Sequence, residues 1–131
     1  EIEVAVHALL ARSQQEQFST IIEGVHVRPS IVKDCALPSD TIVVPLLIAA
    51  ERKKTLKAFF RGRAISAPRR GRKHYLDNLD AIWDLQSLLL SEAETHDVPI
   101  VINEAEGGNM MTRMYSLISS VVLKESSGPS D

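Results

Sequence analysis

The spacing of apolar and polar positions predicts a chain that alternates between helices and strands. Apolar residues recur with helical spacing in several long stretches, each with a polar opposite face. These stretches predict helices over residues 1–17, 51–65, 73–95 and 110–123, with a short helix over residues 31–37. Shorter apolar or β-branched runs predict strands. Those strands cover residues 18–27, 41–49 and 98–102.

The run over residues 41–49 is apolar at nearly every position, which is typical of a strand buried on both faces. Pro45 interrupts it, and proline removes one hydrogen bond from a strand ladder. We therefore expect an irregularity or a strand end near Pro45. The longest apolar run, residues 42–50, is far shorter than the roughly 20 residues that a membrane helix needs. No membrane association is predicted.

Strands that alternate with long helices indicate an α/β fold with a parallel sheet and flanking helices. A single α/β domain is predicted over residues 1–125, followed by a polar tail over residues 126–131. Only three strands are predicted, and a helix precedes the first of them. We therefore expect that an upstream segment or a second copy of the chain completes the sheet.

Composition fits one globular domain. The chain has 131 residues, of which 44% are hydrophobic and 24% charged, and its net charge is −2. The single cysteine, Cys35, cannot form an internal disulfide, and the acidic residues at the N-terminus do not resemble a signal peptide. These features predict a cytoplasmic protein. The four histidines show no zinc-ligand spacing, and Cys35 shows no sign of activation.

The charge is unevenly distributed. Residues 52–73, named here the basic segment, hold ten of the 15 Lys and Arg residues and no Asp or Glu. The rest of the chain has five basic and 17 acidic residues, a net charge of −12. Ten neighbouring cations repel one another unless anions neutralise them. The basic segment therefore predicts binding of phosphate or a polyanion, with a solvated basic loop as the alternative.

A first group of candidate functional residues follows the predicted strand at residues 18–27. Glu23 would stand at the carboxyl end of this strand, where open α/β sheets bind ligands. A carboxylate there can hold Mg²⁺ or orient a nucleophile, and Gly24 would let the backbone approach a phosphate. His26 and Arg28 would lie in the same crevice. The alternative is that Glu23 caps the next segment and that His26 is a surface residue.

A second group of candidates lies in the basic segment. Arg61 and Arg63 place two guanidinium groups two residues apart, and arginine matches phosphate oxygens in bidentate geometry. The Pro/Gly loop of residues 66–71 would act as a lid that neutralises a transferring phosphoryl group. The lid region and its edge supply the phosphate-binding candidates Arg69, Arg70, Arg72, Lys73 and Tyr75. RNA binding is disfavoured because platforms for base stacking are missing and the remaining chain is acidic.

Four stretches together resemble the 2-phosphoglycerate kinase family. They are IEGVH at residues 22–26, FRGRA at 60–64, YLDNLDAIWDLQ at 75–86 and HDVPIV at 96–101. The resemblance runs from the first helix to the third predicted strand. It implies a P-loop kinase that uses MgATP to phosphorylate 2-phosphoglycerate. The same region is similar to plant proteins of inositol-phosphate metabolism, which leaves the phosphoryl acceptor open.

The resemblance also implies roles for individual residues. Glu23 would serve Mg²⁺ or the acceptor hydroxyl. Arg61 and Arg63 would be catalytic and would form the lid, within the basic segment, together with the stretch from Arg69 to Lys73. The loop from Asn103 to Asn109 would lie near the adenine of ATP. The sequence contains no GxxxxGK[ST] loop, which cradles the phosphates in such kinases. We therefore expect a partial nucleotide-kinase-like fold whose P-loop and N-terminal strand lie upstream. The alternative function is a non-catalytic phosphate- or polyanion-binding module that uses the basic segment.

Overall fold

The computed structural model describes residues 2–34, 40–66, 72–104 and 109–126 of the chain. Its elements, numbered in chain order, are helices and two short strands. They are α1 (Ile2–Gln15), α2 (Pro29–Asp34), β1 (Leu47–Ala50), α3 (Lys53–Ser66), α4 (Arg72–Asp77), α5 (Leu79–Thr95), β2 (Ile100–Asn103) and α6 (Met110–Ser126). None of the described helices is long and apolar enough to cross a membrane.

The two strands form a parallel sheet, so the predicted α/β class with flanking helices is confirmed. Leu47 pairs with Ile100 at one end, and Ala50 pairs with Asn103 at the other. The N–H of Leu47 donates to the carbonyl of Pro99 at 2.8 Å, which extends the ladder by one residue. Because the strands are parallel and in register, both carboxyl ends finish at the same level.

The core lies between this sheet and α5. Ala93 of α5 is completely buried, and its small side chain permits a close approach to the strands. The other buried apolar residues come from both strands and four other segments of the described chain. They are Val6, Ile31, Ala49, Ala50, Leu89, Val98 and Val101. α6 packs against β2, and α3 against β1.

The end of α5 delivers the chain into β2. His96 ends the helix, and its N–H donates to the carbonyl of Glu92 at 3.0 Å. Asp97 then adopts a positive φ of 52°, and the N–H of Val98 returns to the carbonyl of Ala93 at 2.8 Å. These bonds satisfy carbonyls that a helix end would otherwise leave unpaired. The tight turn fixes where β2 begins.

Two predicted strands differ from the structure. Residues 18–27 form no strand, and Phe18, Ile21 and Val25 are exposed, with Ile21 at 94%. An apolar, β-rich segment forms a strand only where a neighbouring strand pairs with it. Among the described residues, no strand lies beside this segment. Residues 41–46 of the second predicted strand lie outside regular structure, and β1 begins two residues after Pro45. This agrees with the irregularity predicted near Pro45.

The long predicted helix over residues 73–95 is divided at Asn78. The side-chain amide of Asn78 donates to the carbonyl of His74 at 2.8 Å. Asparagine commonly competes with helical hydrogen bonding in this way. The remaining predicted helices agree with α1, α2, α3 and α6 within a few residues. Cys35, most of the lid loop and nearly all of the polar tail lie outside the described residues.

Candidate functional site

A cavity of about 400 Å³ opens at the carboxyl ends of β1 and β2. Its floor includes Ala50 and Asn103, the last residues of the two strands and partners in register. One wall comes from α3 and another from α5. Those walls are formed by Leu56, Phe59, Phe60 and Gln86, with Ile48 and Ala49 completing the lining. Ligands of open α/β sheets bind at this edge, so the cavity is the candidate functional site.

Gln86 fastens α5 to the floor of the cavity. The backbone N–H of Ala50 donates to its side-chain oxygen at 2.8 Å, and its amide nitrogen donates to the carbonyl of Ala50 at 3.1 Å. The side chain thus occupies both backbone groups of Ala50, as a neighbouring strand would. In the sequence, Gln86 stood out only as the last residue of the stretch at 75–86 that carries the family resemblance. The paired amide contact gave no signal in the sequence.

Aromatic stacking joins the two helices on either side of the lid loop. The rings of Phe60 and Tyr75 lie 5.1 Å apart at an angle of 17°. The His74 ring lies edge-on to the Tyr75 ring, with 6.2 Å between the two ring centroids. The Tyr75 ring therefore packs against Phe60, one of the residues that line the cavity. The prediction of Tyr75 as a phosphate ligand did not include this packing. The stack holds α3 and α4 together.

The basic segment has acidic partners just outside its own bounds. Arg52 pairs with Glu51 at 3.2 Å, and Lys53 pairs with Asp80 at the start of α5. The hydrogen bond and charge of Lys53 lower the pKa of Asp80 below its ordinary value. The sequence contains no acidic residue within the segment, but folding places Asp80 of α5 beside Lys53 of α3. The unneutralised charge of the segment is therefore smaller than its sequence suggests.

Three cations of α3 differ from these paired ones. Lys54, Lys57 and Arg61 are exposed, and the described residues give them no ion pair. They follow one another at helical spacing along one face, named here the outer basic stripe. Arg61, predicted as a catalytic residue, thus lies on a different face of α3 from the residues that line the cavity.

The predicted group around Glu23 is arranged differently from the expectation. Because residues 18–27 form no strand, Glu23 does not stand at the carboxyl end of one, and it is exposed together with His26. Gly24 takes a φ of 149°, which favours glycine, and its carbonyl accepts the N–H of Val27 at 3.0 Å. The segment is a surface turn, and Glu23 and His26 are not among the residues that line the cavity.

Arg28 binds a carboxylate in this structure. Its Nε lies 3.0 and 3.2 Å from the two carboxylate oxygens of Glu92, and its Nη2 also contacts Glu92. The hydroxyl of Ser30 adds a longer bond of 3.4 Å. These donors lower the pKa of Glu92, with the Arg28 hydrogen bond as the largest cause and burial opposing it. Arg28 therefore links the start of α2 to α5.

Asn103 borders the candidate site, and its contact with adenine stays a prediction. It ends β2, is half-buried and lines the cavity. The next residue, Glu104, pairs with Arg113 of α6 at 3.2 Å, which fixes the strand end. The candidates Arg69 and Arg70 lie outside the described residues, as do the side chains of Arg63, Arg72 and Lys73.

The residues that line the cavity fit the base of an ATP molecule better than the described residues fit its Mg²⁺ ion. The cavity combines aromatic walls with the amide of Asn103, a chemistry suited to the planar, polar-edged part of a nucleotide. The described residues contain no group of three side chains able to hold a metal ion. Mg²⁺ in kinases is held largely by phosphates and water with one or two carboxylates, so these residues would supply little of its coordination.

Curated proteins similar to this chain are 2-phosphoglycerate kinases of archaea. The enzyme of Pyrococcus furiosus is 26% identical over 121 residues, which is 92% of this chain and 38% of that protein. For Methanopyrus kandleri the identity is 27% over 121 residues, covering 92% and 37%. For Thermococcus kodakarensis it is 32% over 102 residues, covering 78% and 33%.

The chain thus spans about a third of the length of these curated relatives. No protein-family model matches it, and no solved structure matches it.

Proposed function

Because the chain belongs by sequence to the 2-phosphoglycerate kinase family, we propose that it forms part of an ATP-dependent kinase for a phosphorylated small acid. One structural observation carries this proposal. The cavity at the carboxyl ends of β1 and β2 has as one wall α3, a helix that belongs to the basic segment. Cations beside such a cavity are what phosphate binding needs, because phosphoryl transfer depends mainly on positioning and on neutralising charge.

In this proposal the residues of the chain bind and orient rather than react covalently. Arg63 and the lid cations from Arg69 to Lys73 hold phosphate oxygens, and Asn103 contacts the nucleotide at the end of β2. MgATP supplies the phosphoryl group. A hydroxyl oxygen of the acceptor forms the new P–O bond, the bond to the β-phosphate oxygen breaks, and ADP leaves. Glu23 accepts the hydroxyl proton or helps to hold Mg²⁺, for which its turn must approach the cavity.

A phosphotransferase assay tests this function. The natural polypeptide that carries this sequence is incubated with Mg²⁺, γ-labelled ATP and 2-phosphoglycerate, and labelled bisphosphoglycerate is measured. We expect transfer by the wild type and a loss of about 10²-fold in kcat for Glu23→Gln, a typical size for a general base. Glu16→Gln is the matched control, because Glu16 is also exposed and pairs only locally with Arg12. An absence of phosphoryl transfer to any phosphorylated acid would contradict the proposal.

A specific observation favours the alternative, a phosphate- or polyanion-binding module. The outer basic stripe of Lys54, Lys57 and Arg61 is exposed, away from the cavity, and lacks ion pairs among the described residues. Such a stripe would bind a polyanion with an affinity that falls steeply with salt.

Titration with long-chain polyphosphate at rising NaCl, with and without ATP, tests this alternative. Tight, salt-sensitive binding that ATP leaves unchanged and that Lys54→Ala/Lys57→Ala abolishes would support the binding module. Binding that ATP displaces and that the double variant leaves intact would instead place the polyphosphate in the cavity. That result would favour the kinase.

A further inference from the structure

One face of α3 is turned to the cavity. Leu56, Phe59 and Phe60 line it, and Phe60 also stacks on Tyr75. The described residues that line the cavity are all uncharged. An ionic group of a ligand held there therefore needs a cation from a position that borders the cavity but lies beyond this lining.

The opposite face of α3 is open to solvent. Lys54, Lys57 and Arg61 are exposed on it. Arg61 is thus a member of the outer basic stripe rather than a neighbour of the cavity lining.

Helix geometry separates positions 61 and 63. Each residue of an α-helix turns by about 100° and rises 1.5 Å. Position 63 is seven residues after Leu56, so it returns to within about 20° of the direction of Leu56, whereas position 61 is turned away by about 140°. Position 63 also lies about 6 Å along the axis from Phe59, one turn further. It therefore continues the cavity face of α3.

We propose that position 63, and not position 61, supplies the α3 cation that binds phosphate at the cavity. The inference rests on the kinase function proposed above and narrows it. Arg63 is the phosphate ligand of α3, and Arg61 belongs to the outer basic stripe and has no part in phosphoryl transfer. Two arginines that look equivalent in the sequence thus have different roles, because the helix places them on different faces.

The matched pair Arg61→Ala and Arg63→Ala tests the inference, with Arg63→Lys as a third variant. All three are made in the natural polypeptide, and thermal unfolding checks that each is folded. Calorimetric titration measures binding of ATP with Mg²⁺ and of inorganic tripolyphosphate. Both are measured at about 0.15 M salt, where exposed charges more than about 8 Å away are screened. Steady-state kinetics give kcat and KM for ATP and 2-phosphoglycerate.

We expect Arg63→Ala to lower kcat/KM by about 10²-fold or more and to weaken tripolyphosphate binding. Arg63→Lys should recover part of the binding, because lysine keeps the charge but not the bidentate geometry. Arg61→Ala should stay within about threefold of the wild type in every quantity, the size expected from loss of a screened surface charge. Equal losses in the two alanine variants, or a larger loss for Arg61→Ala, would overturn the inference.

The binding measurement separates failure of this inference from failure of the proposed function. A wild type that binds tripolyphosphate but transfers no phosphoryl group would contradict the kinase function, and the two alanine variants would still decide which arginine binds. A wild type that binds neither ATP nor tripolyphosphate would overturn both. If the wild type is active and Arg63→Ala equals it, only the assignment of Arg63 is wrong.

Discussion

The first third of the chain and the remainder differ in whether their apolar, β-rich runs form paired strands. From β1 onward, the two apolar strands pair with each other and α5 covers the sheet with Leu89 and Ala93, although α6 has no buried residue. Before β1, Ile21 and Val25 stay exposed although their sequence is as β-rich as that of β1. The difference shows that a strand depends on its neighbour more than on its own composition.

The two parts are joined at few places. Among the described residues, α1 contributes to none of the main packing interfaces between elements, whereas α2 packs on α5. The Arg28–Glu92 ion pair crosses the same boundary. Substitutions of matching type in the two parts should therefore have unequal effects, and each pair below tests that inequality.

The largest single loss of stability is expected for Val101→Ala in β2, which is compared with Val6→Ala in α1. Both valines are buried, at 3% and 5% exposure. Loss of two methyl groups from the well-packed sheet should cost roughly 2–3 kcal/mol, and in the loosely attached α1 about 1 kcal/mol. Urea unfolding of both variants measures this. Equal losses would show that α1 belongs to the same cooperative unit as the sheet.

A smaller difference is expected between Gln86→Ala and Gln14→Ala. Gln86 makes two bonds to Ala50 at 2.8 and 3.1 Å, whereas Gln14 makes one long bond of 3.5 Å to Thr41. Removing Gln86 leaves two half-buried backbone groups without their partner, at a cost of about 1–2 kcal/mol. Gln14→Ala should cost less than about 0.5 kcal/mol, the usual size for a surface change. Hydrogen exchange at the Ala50 amide gives a second measurement, and unchanged protection in Gln86→Ala would refute the contact.

Two glycines should respond with opposite signs to substitution by alanine. Gly24 has a φ of 149°, so Gly24→Ala should destabilise the turn by about 1 kcal/mol. Gly62 lies within α3 with open space around its missing Cβ, so Gly62→Ala should stabilise the protein by about 0.5–1 kcal/mol. Thermal unfolding measures both shifts. A loss of stability in Gly62→Ala would mean that this position is less open than the structure shows.

The smallest and pH-dependent difference concerns Glu92→Gln and Glu16→Gln. The Arg28 hydrogen bond lowers the pKa of Glu92 below its ordinary value of 4.5. A lowered pKa stabilises the fold above pH 4.5, and this contribution is lost as the pH falls through the folded pKa. At pH 7 Glu92→Gln should cost about 0.5–1 kcal/mol, and the difference from wild type should shrink below pH 4.5.

Glu16→Gln supplies the control for this pH dependence. Glu16 and Arg12 form an exposed pair within α1, at 47% and 70% side-chain exposure, whereas Glu92 is only 14% exposed. The effect of Glu16→Gln on the unfolding free energy should be near zero at every pH. Unfolding curves between pH 3 and pH 8 measure both variants. A pH-independent cost for Glu92→Gln would contradict the ion pair.

Much of the fold was readable from the sequence because helical periodicity is a local property. The amphipathic spacing located α1, α3 and α6, and the alternation of elements indicated a parallel sheet. Two errors had nonlocal or side-chain causes. Residues 18–27 have the composition of a strand without a partner among the described residues, and the Asn78 amide divides a helix whose apolar spacing continues through it.

The site was readable only in part. Asn103 was named through the resemblance to the kinase family, and the structure places it in the cavity lining at the end of β2. The Arg28–Glu92 and Lys53–Asp80 pairs could not be predicted, because each joins residues far apart in the sequence. Nor could the bonds between Gln86 and Ala50. The roles of Glu23, His26 and the lid cations stay predictions.

Backbone amide NMR shifts on addition of MgATP to the natural polypeptide test the central claim most directly. The claim is that phosphate-bearing ligands bind in the cavity at the carboxyl ends of β1 and β2. We predict saturable shifts at Ala50, Phe60 and Asn103, with Lys54 and Lys57 unchanged. Shifts confined to Lys54 and Lys57 would contradict the claim and leave the outer basic stripe as the anion-binding surface. An absence of shifts throughout β1, β2 and α3 would contradict the claim for both surfaces.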